Sequence, residues 1–215
     1  MVASDTRIAA ASDRDAVIAG MDADDAPTMV MRRIVSRPVP EVLYPLPMAL
    51  PLVDQLRFAR HQFGVALAGT PEADGARRLE PMNSIGWIVA HLAWHEQAYW
   101  LTRAQGHTPR PELNDLGASG KPATTPSLAA MLDAWTTVTA AADAWLDSRT
   151  QDDLVQPIPN SPSPRLIGTS LLRVTYHYWF HAGEILAIRQ VLGHAGLPEF
   201  VGDIDGLAPY RPDAG

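Results

Sequence analysis

Four histidines stand in two His-x-x-x-His pairs, His91 with His95 and His177 with His181. A four-residue step on a helix of 3.6 residues per turn leaves only about 40° between side chains, so each pair can direct both imidazoles at one point. Neutral imidazole is the commonest protein ligand for transition metals, and three on rigid helices hold a divalent ion while leaving positions open for water or substrate. A lone histidine on an apolar face is more often a hydrogen-bonded core residue. Two pairs on separate helices, each with a member in a buried stripe, point instead to a metal. The spacing leaves open whether His91 or His95 joins His177 and His181 as the third ligand.

Composition narrows the chemistry further. The chain has no cysteine, which removes disulfides, thiolate nucleophiles and thiolate zinc sites together. A carboxylate-bridged diiron bundle is disfavoured as well, because positions 88 and 92, and 174 and 178, are apolar or aromatic where Glu-x-x-His motifs would need acids. The formal net charge of −7, with no arginine or lysine run interleaved with aromatics, argues against nucleic acid as a partner. No stretch of roughly 18 apolar residues is present and the start lacks a signal-peptide pattern, so the reading is a cytoplasmic protein without membrane association.

The histidines need helices to carry them, and hydrophobic periodicity supplies four in a chain of 215 residues, enough for one core. The first is expected from about residue 52 to 68, with Leu52, Leu56, Ala59, Phe63 and Leu67 on one face and Arg57, Arg60 and Gln62 off it. His61 falls outside that seam and reads as solvated. The second opens at Asn83-Ser84, either of which can cap it, and runs to about 105. Its inner stripe is Ile85, Ile88, Leu92, His95 and Tyr99, with His91 on the shoulder; Trp87, Trp94 and Trp100 read as packing bulk. The third, about 127–148, has no histidine and reads as scaffold. The fourth, about 166–192, places Leu171, Val174, Tyr178, His181, Ile185, Ile188 and Leu192 inward.

No segment alternates as a strand would, so the fold class is all-α, a four-helix bundle with an irregular Pro-rich N-terminal arm. Residues 1–47 form an extension whose Ala- and Asp-rich leader reads as disordered or loosely helical; 48–195 form the bundle, and 196–215 a Pro- and Gly-containing tail. The loop from His107 to Pro126 is long for a compact domain and is expected to cover one end of the bundle. The apolar helix faces permit a homodimer.

The run Asn83-Ser84-Ile85-Gly86-Trp87-Ile88-Val89-Ala90-His91-Leu92-Ala93, followed by His177-x-x-x-His181-Ala182-Gly183-Glu184-Ile185, resembles the DinB-like superfamily of damage-inducible four-helix bundles over about residues 50–195. The resemblance implies a metal triad of His91, His177 and His181, and so selects His91 over His95, which becomes a candidate for contacting substrate. It implies one divalent ion, zinc or nickel. Relatives include mycothiol-dependent maleylpyruvate isomerase and bacillithiol transferases, which imply a thiol-dependent S-transferase or isomerase acting on a small electrophile, with a low-molecular-weight thiol as cosubstrate. A metal-bound hydroxide acting as a hydrolase, and a non-catalytic stress-response bundle, are the competing readings. Glu184 is then a candidate proton acceptor or orienting group, and Arg189 a candidate for an acidic group on thiol or substrate. Both also read as solvated helix-surface charges.

Overall fold

A computed structural model describes residues 50–199 and 201–211. The readings placed on residues 1–47, the leader and nearly all of the Pro-rich arm, lie outside the described residues. Within them the chain forms α1 (Pro51–Leu67), α2 (Glu72–Ala76), α3 (Ile85–Glu96) continued by a π-helical segment (Gln97–Arg103), α4 (Leu113–Leu116), α5 (Leu128–Asp147), a 3-10 turn (Gln151–Val155), α6 (Ile167–Val191) and α7 (Ile204–Leu207). No strand occurs among the described residues, and a single bridge pairs Pro157 with Leu166. The architecture is an all-α bundle built on the four long helices.

Local chemistry sets the helix starts. Pro51 opens α1, where its missing N–H costs no hydrogen bond. Ser84, not Asn83, caps α3 by accepting from the Trp87 amide at 3.1 Å, and Ser127 caps α5 through the Ala130 amide. Helices α1 and α6 run side by side, with Phe58 against Trp179 at 5.7 Å between ring centroids, while α3 lies between α5 and α6.

Burial departs from the expected pattern in two places. On α1 the seam is Val53, Leu56, Ala59, Arg60, Phe63 and Leu67, so Arg60 belongs to it and Gln62 is buried too. Arg60 Nε donates to Glu96 Oε1 at 2.7 Å, its Nη2 pairs with Glu96 Oε2, and its Nη1 donates to Asp143 at 2.7 Å. The Tyr178 hydroxyl also donates to Glu96, and accepts from Trp135 Nε1 at 2.7 Å. This group joins α1, α3, α5 and α6. Burial acts to lower the Arg60 pKa, and Glu96, with Tyr178 and Asp143, more than offsets it, so the guanidinium stays charged.

The second departure is α3, buried on every side from Ile85 to Ala93 instead of along one stripe. Its outer face is covered by the 107–126 loop, which holds α4 and is bolted down by polar contacts. Gln97 both donates to the Arg110 carbonyl at 3.0 Å and accepts from its amide at 2.8 Å, and Trp94 Nε1 donates to Asn114 at 3.0 Å. Glycine permits a close approach. A Cβ on Gly117 would stand 2.5 Å from the Ala90 carbonyl carbon and 2.6 Å from the His91 nitrogen. The tail returns to the bundle, where Gln55 donates to the Ala208 carbonyl at 3.0 Å.

Candidate metal centre

His91 comes from the middle of α3, and His177 and His181 from successive turns of α6. The Nε2 atoms of His91 and His177 are 3.2 Å apart, and those of His177 and His181 are 3.0 Å apart. Two nitrogens bound to one zinc-like ion at roughly 2.0–2.1 Å, subtending 90–110°, lie roughly 2.9–3.4 Å from each other, so the spacing matches a shared ion. The three histidines offer ligand atoms all within 4.8 Å of one another, with His91 and His181 buried and His177 half-buried. A three-imidazole set of this kind fits a divalent transition ion with positions left open.

Each remaining ring nitrogen has its own partner. His91 Nδ1 donates to the Gly117 carbonyl at 2.8 Å, and His181 Nδ1 meets Glu184 Oε2 at 2.7 Å. His177 Nδ1 meets His95 Nδ1 at 3.1 Å. Were Nε2 of each ring turned to an ion, the three Nδ1 atoms would carry the protons, and His95 would accept one of them. This fixes ring orientation and tautomer together. The indole of Trp87 stacks on His91 at 4.7 Å and 9° between planes, with Trp94 on the same ring at 5.8 Å.

Burial disfavours protonation of three of these rings. Burial, followed by the neighbouring His95, His181, His91 and Arg173, pushes His177 down to about 2. His95 is pushed down to about 3 by burial first, then by His91, Arg103, Arg173 and Arg165. Burial also lowers His91, against the opposing pull of the Gly117 carbonyl. Without metal these rings are neutral in the folded chain and protonated in the unfolded chain below about pH 6.5. The unfolded state then binds more protons, so their contribution is present above about pH 6.5 and is lost as pH falls towards the folded values. Thermal melts of chelator-treated protein should show a falling Tm from pH 6.5 to 4.5, with a shallower slope for His95→Gln. Equal slopes for the two proteins would contradict this.

The predicted site residues separate into two places. His91, His95, His177, His181 and Glu184 come together. His95 lies behind His177, outside the three-ligand group, and Glu184 is held against His181 where a solvated surface charge was the alternative. Arg189 is not brought there. It is buried, donates to the Ala66 carbonyl at the end of α1, and meets His194 at 3.1 Å, so it is neither a surface charge nor a neighbour of the triad. Gly117 had no local signal in the sequence, because its role depends on where a distant loop lands. Replacing it with alanine should lift that loop, costing about 1–3 kcal/mol by overpacking and weakening metal uptake through His91. Urea melts and a metal titration check both, and wild-type values for both would contradict the account.

The fold and the cluster together define an all-α bundle with a three-histidine site able to hold a metal ion. Residues 55–185 match the family model of the DinB superfamily, and the chain belongs to that superfamily. Among solved structures it is similar to a conserved protein from Enterococcus faecalis, with 17% identity and a TM-score of 0.53 over 69% of this chain and 100% of that one, a likeness of fold. No curated protein matches the chain. No helix among the described residues is long and apolar enough to cross a membrane.

Proposed function

We propose that this protein is a divalent-metal enzyme of the cytoplasm that transfers or rearranges a small electrophile with the help of a low-molecular-weight thiol. The observation that carries the reading is the convergence of three Nε2 atoms whose Nδ1 atoms are all engaged elsewhere. A divalent ion held there, zinc or nickel by its imidazole donors, supplies a Lewis acid with open positions for a thiolate or for an oxygen of the electrophile. Since the chain has no cysteine, a thiol nucleophile has to come from a cosubstrate.

The chain's own residues then have distinct tasks. His91, His177 and His181 bind. Gly117, His95 and Glu184 position those three rings, which makes Glu184 a positioning residue before it is a proton acceptor. Trp87 and Trp94 shield His91 from water on its stacked side. Truncation of such an outer partner typically costs 10–100-fold in metal affinity, and His95→Ala should fall in that range. Affinity equal to wild type, measured by competition with a chromogenic chelator, would remove His95 from the site.

The reaction class is tested by turnover. Metal-loaded protein should consume a reactive electrophile, such as an activated haloarene or an epoxide, only when a thiol cosubstrate is added. Hydrolysis of an ester or amide without thiol, and no thiol-dependent product, would instead assign a hydrolase.

A further inference from the structure

Beside the triad lies a group of cations that the metal site itself does not need. Arg103, at the end of the π-helical segment, places its guanidinium 5.0 Å from the centroid of the Tyr99 ring. Arg165, from the segment leading into α6, donates to the Tyr99 hydroxyl. The Tyr99 ring lies 4.6 Å from His95, which is hydrogen-bonded to His177. Arg173 stands one turn before His177 on α6 and is exposed. All three arginines act electrostatically on His95, and Arg173 on His177 as well.

Among the described residues these arginines differ from most others. Arg57, Arg60, Arg78, Arg110 and Arg149 each pair with an aspartate or glutamate. Among the described residues no carboxylate pairs with Arg103, Arg165 or Arg173. Arg103 and Arg165 meet on one side chain, Tyr99, the first over its ring and the second at its hydroxyl, so positive charge gathers there without a carboxylate, the triad's own being Glu184. The chain as a whole carries a net charge of −7, so this basic rim is a local feature and not a reflection of composition. An incoming anion resolves the imbalance, and guanidinium matches carboxylate and phosphate oxygens geometrically.

We infer that Arg103, Arg165 and Arg173 form an anion subsite beside the metal centre, so that the substrate or its thiol cosubstrate carries a carboxylate or phosphate group. The inference rests on the proposed metal site and names the class of molecule it takes. It also moves the anion-reading task from Arg189 to the opposite part of α6.

The test is calorimetric titration of the metal-loaded full chain at low salt with succinate, with inorganic phosphate and with neutral succinamide. Succinate or phosphate should bind and succinamide should not, and whichever anion binds identifies the group. Arg103→Gln, Arg165→Gln and Arg173→Gln should each weaken that binding about tenfold, while Arg77→Gln, an exposed arginine elsewhere, should not. Metal content, measured on the same preparations, separates failure of the metal site from failure of the subsite. Binding that is unchanged in all three arginine variants, equal binding of succinamide, or no binding of either anion at millimolar concentration by protein that holds its metal would overturn the inference.

Discussion

His181→Ala is expected to strip the protein of its metal. His181 is buried, its Nε2 stands 3.0 Å from that of His177, and its Nδ1 is held by Glu184, so its loss removes one of the three converging nitrogens. Two imidazoles remain, one of them half-buried, and the affinity should fall by more than the ~100-fold upper end that loss of an outer partner produces. The variant should also lose metal-dependent stabilisation. A ligand present at 100 times its Kd stabilises the folded state by about 2.7 kcal/mol, a gain that wild type should show on addition of zinc or nickel and the variant should not. Elemental analysis and paired thermal melts read both effects. Equal metal content and an equal shift in Tm would mean that the histidines are core residues only.

Glu96→Ala is expected to have the largest effect on stability. Glu96 is fully buried and accepts from Arg60 and from Tyr178, whose hydroxyl in turn accepts from Trp135. Removing the carboxylate leaves a guanidinium with only the half-exposed Asp143 as ion-pair partner, and a phenol without its acceptor. Breaking a buried ion pair from one side typically costs about 3–5 kcal/mol, because the surviving charge loses compensation while remaining desolvated. The consequence reaches the metal site, since Glu96 follows His95 and Tyr178 follows His177 along their helices. Urea unfolding should give a loss in that range together with weaker metal uptake. A loss below about 1 kcal/mol would show that Asp143 and water suffice for Arg60.

The parts of this protein that were legible in its sequence are those governed by periodicity. The expected helix at about 52–68 is α1 at Pro51–Leu67, and that at about 166–192 is α6 at Ile167–Val191, because apolar residues at three- and four-residue steps define both. The two histidine pairs were equally plain. What periodicity missed was polar burial. By its charge Arg60 reads as off the seam, although it stands four residues after Leu56 and three before Phe63, and Glu96 four after Leu92. Those positions were the available clue, and a buried arginine and a buried glutamate are most simply reconciled as partners.

Contacts from the 107–126 loop were beyond local reading. Periodicity predicts one-sided amphipathicity for α3, because the loop that buries its other side is joined to it through Gln97, Trp94 and Gly117, contacts that no helical period encodes. The π-helical turns after Glu96 also shift the phase of the stripe, so that Tyr99, Trp100 and Leu101 are all buried. Arg189 reads from the sequence as an anion-binding group or a surface charge, whereas it is buried and its hydrogen bonds tie the end of α6 to the end of α1.

The central claim is that His91, His177 and His181 bind a divalent metal ion. Elemental analysis of full-length protein purified without chelator, followed by titration of the stripped protein with zinc and nickel, tests it most directly. The account predicts about one transition-metal ion per chain, or uptake of one by the stripped protein, abolished by His181→Ala. Protein that carries no metal as purified and takes up neither zinc nor nickel would contradict it.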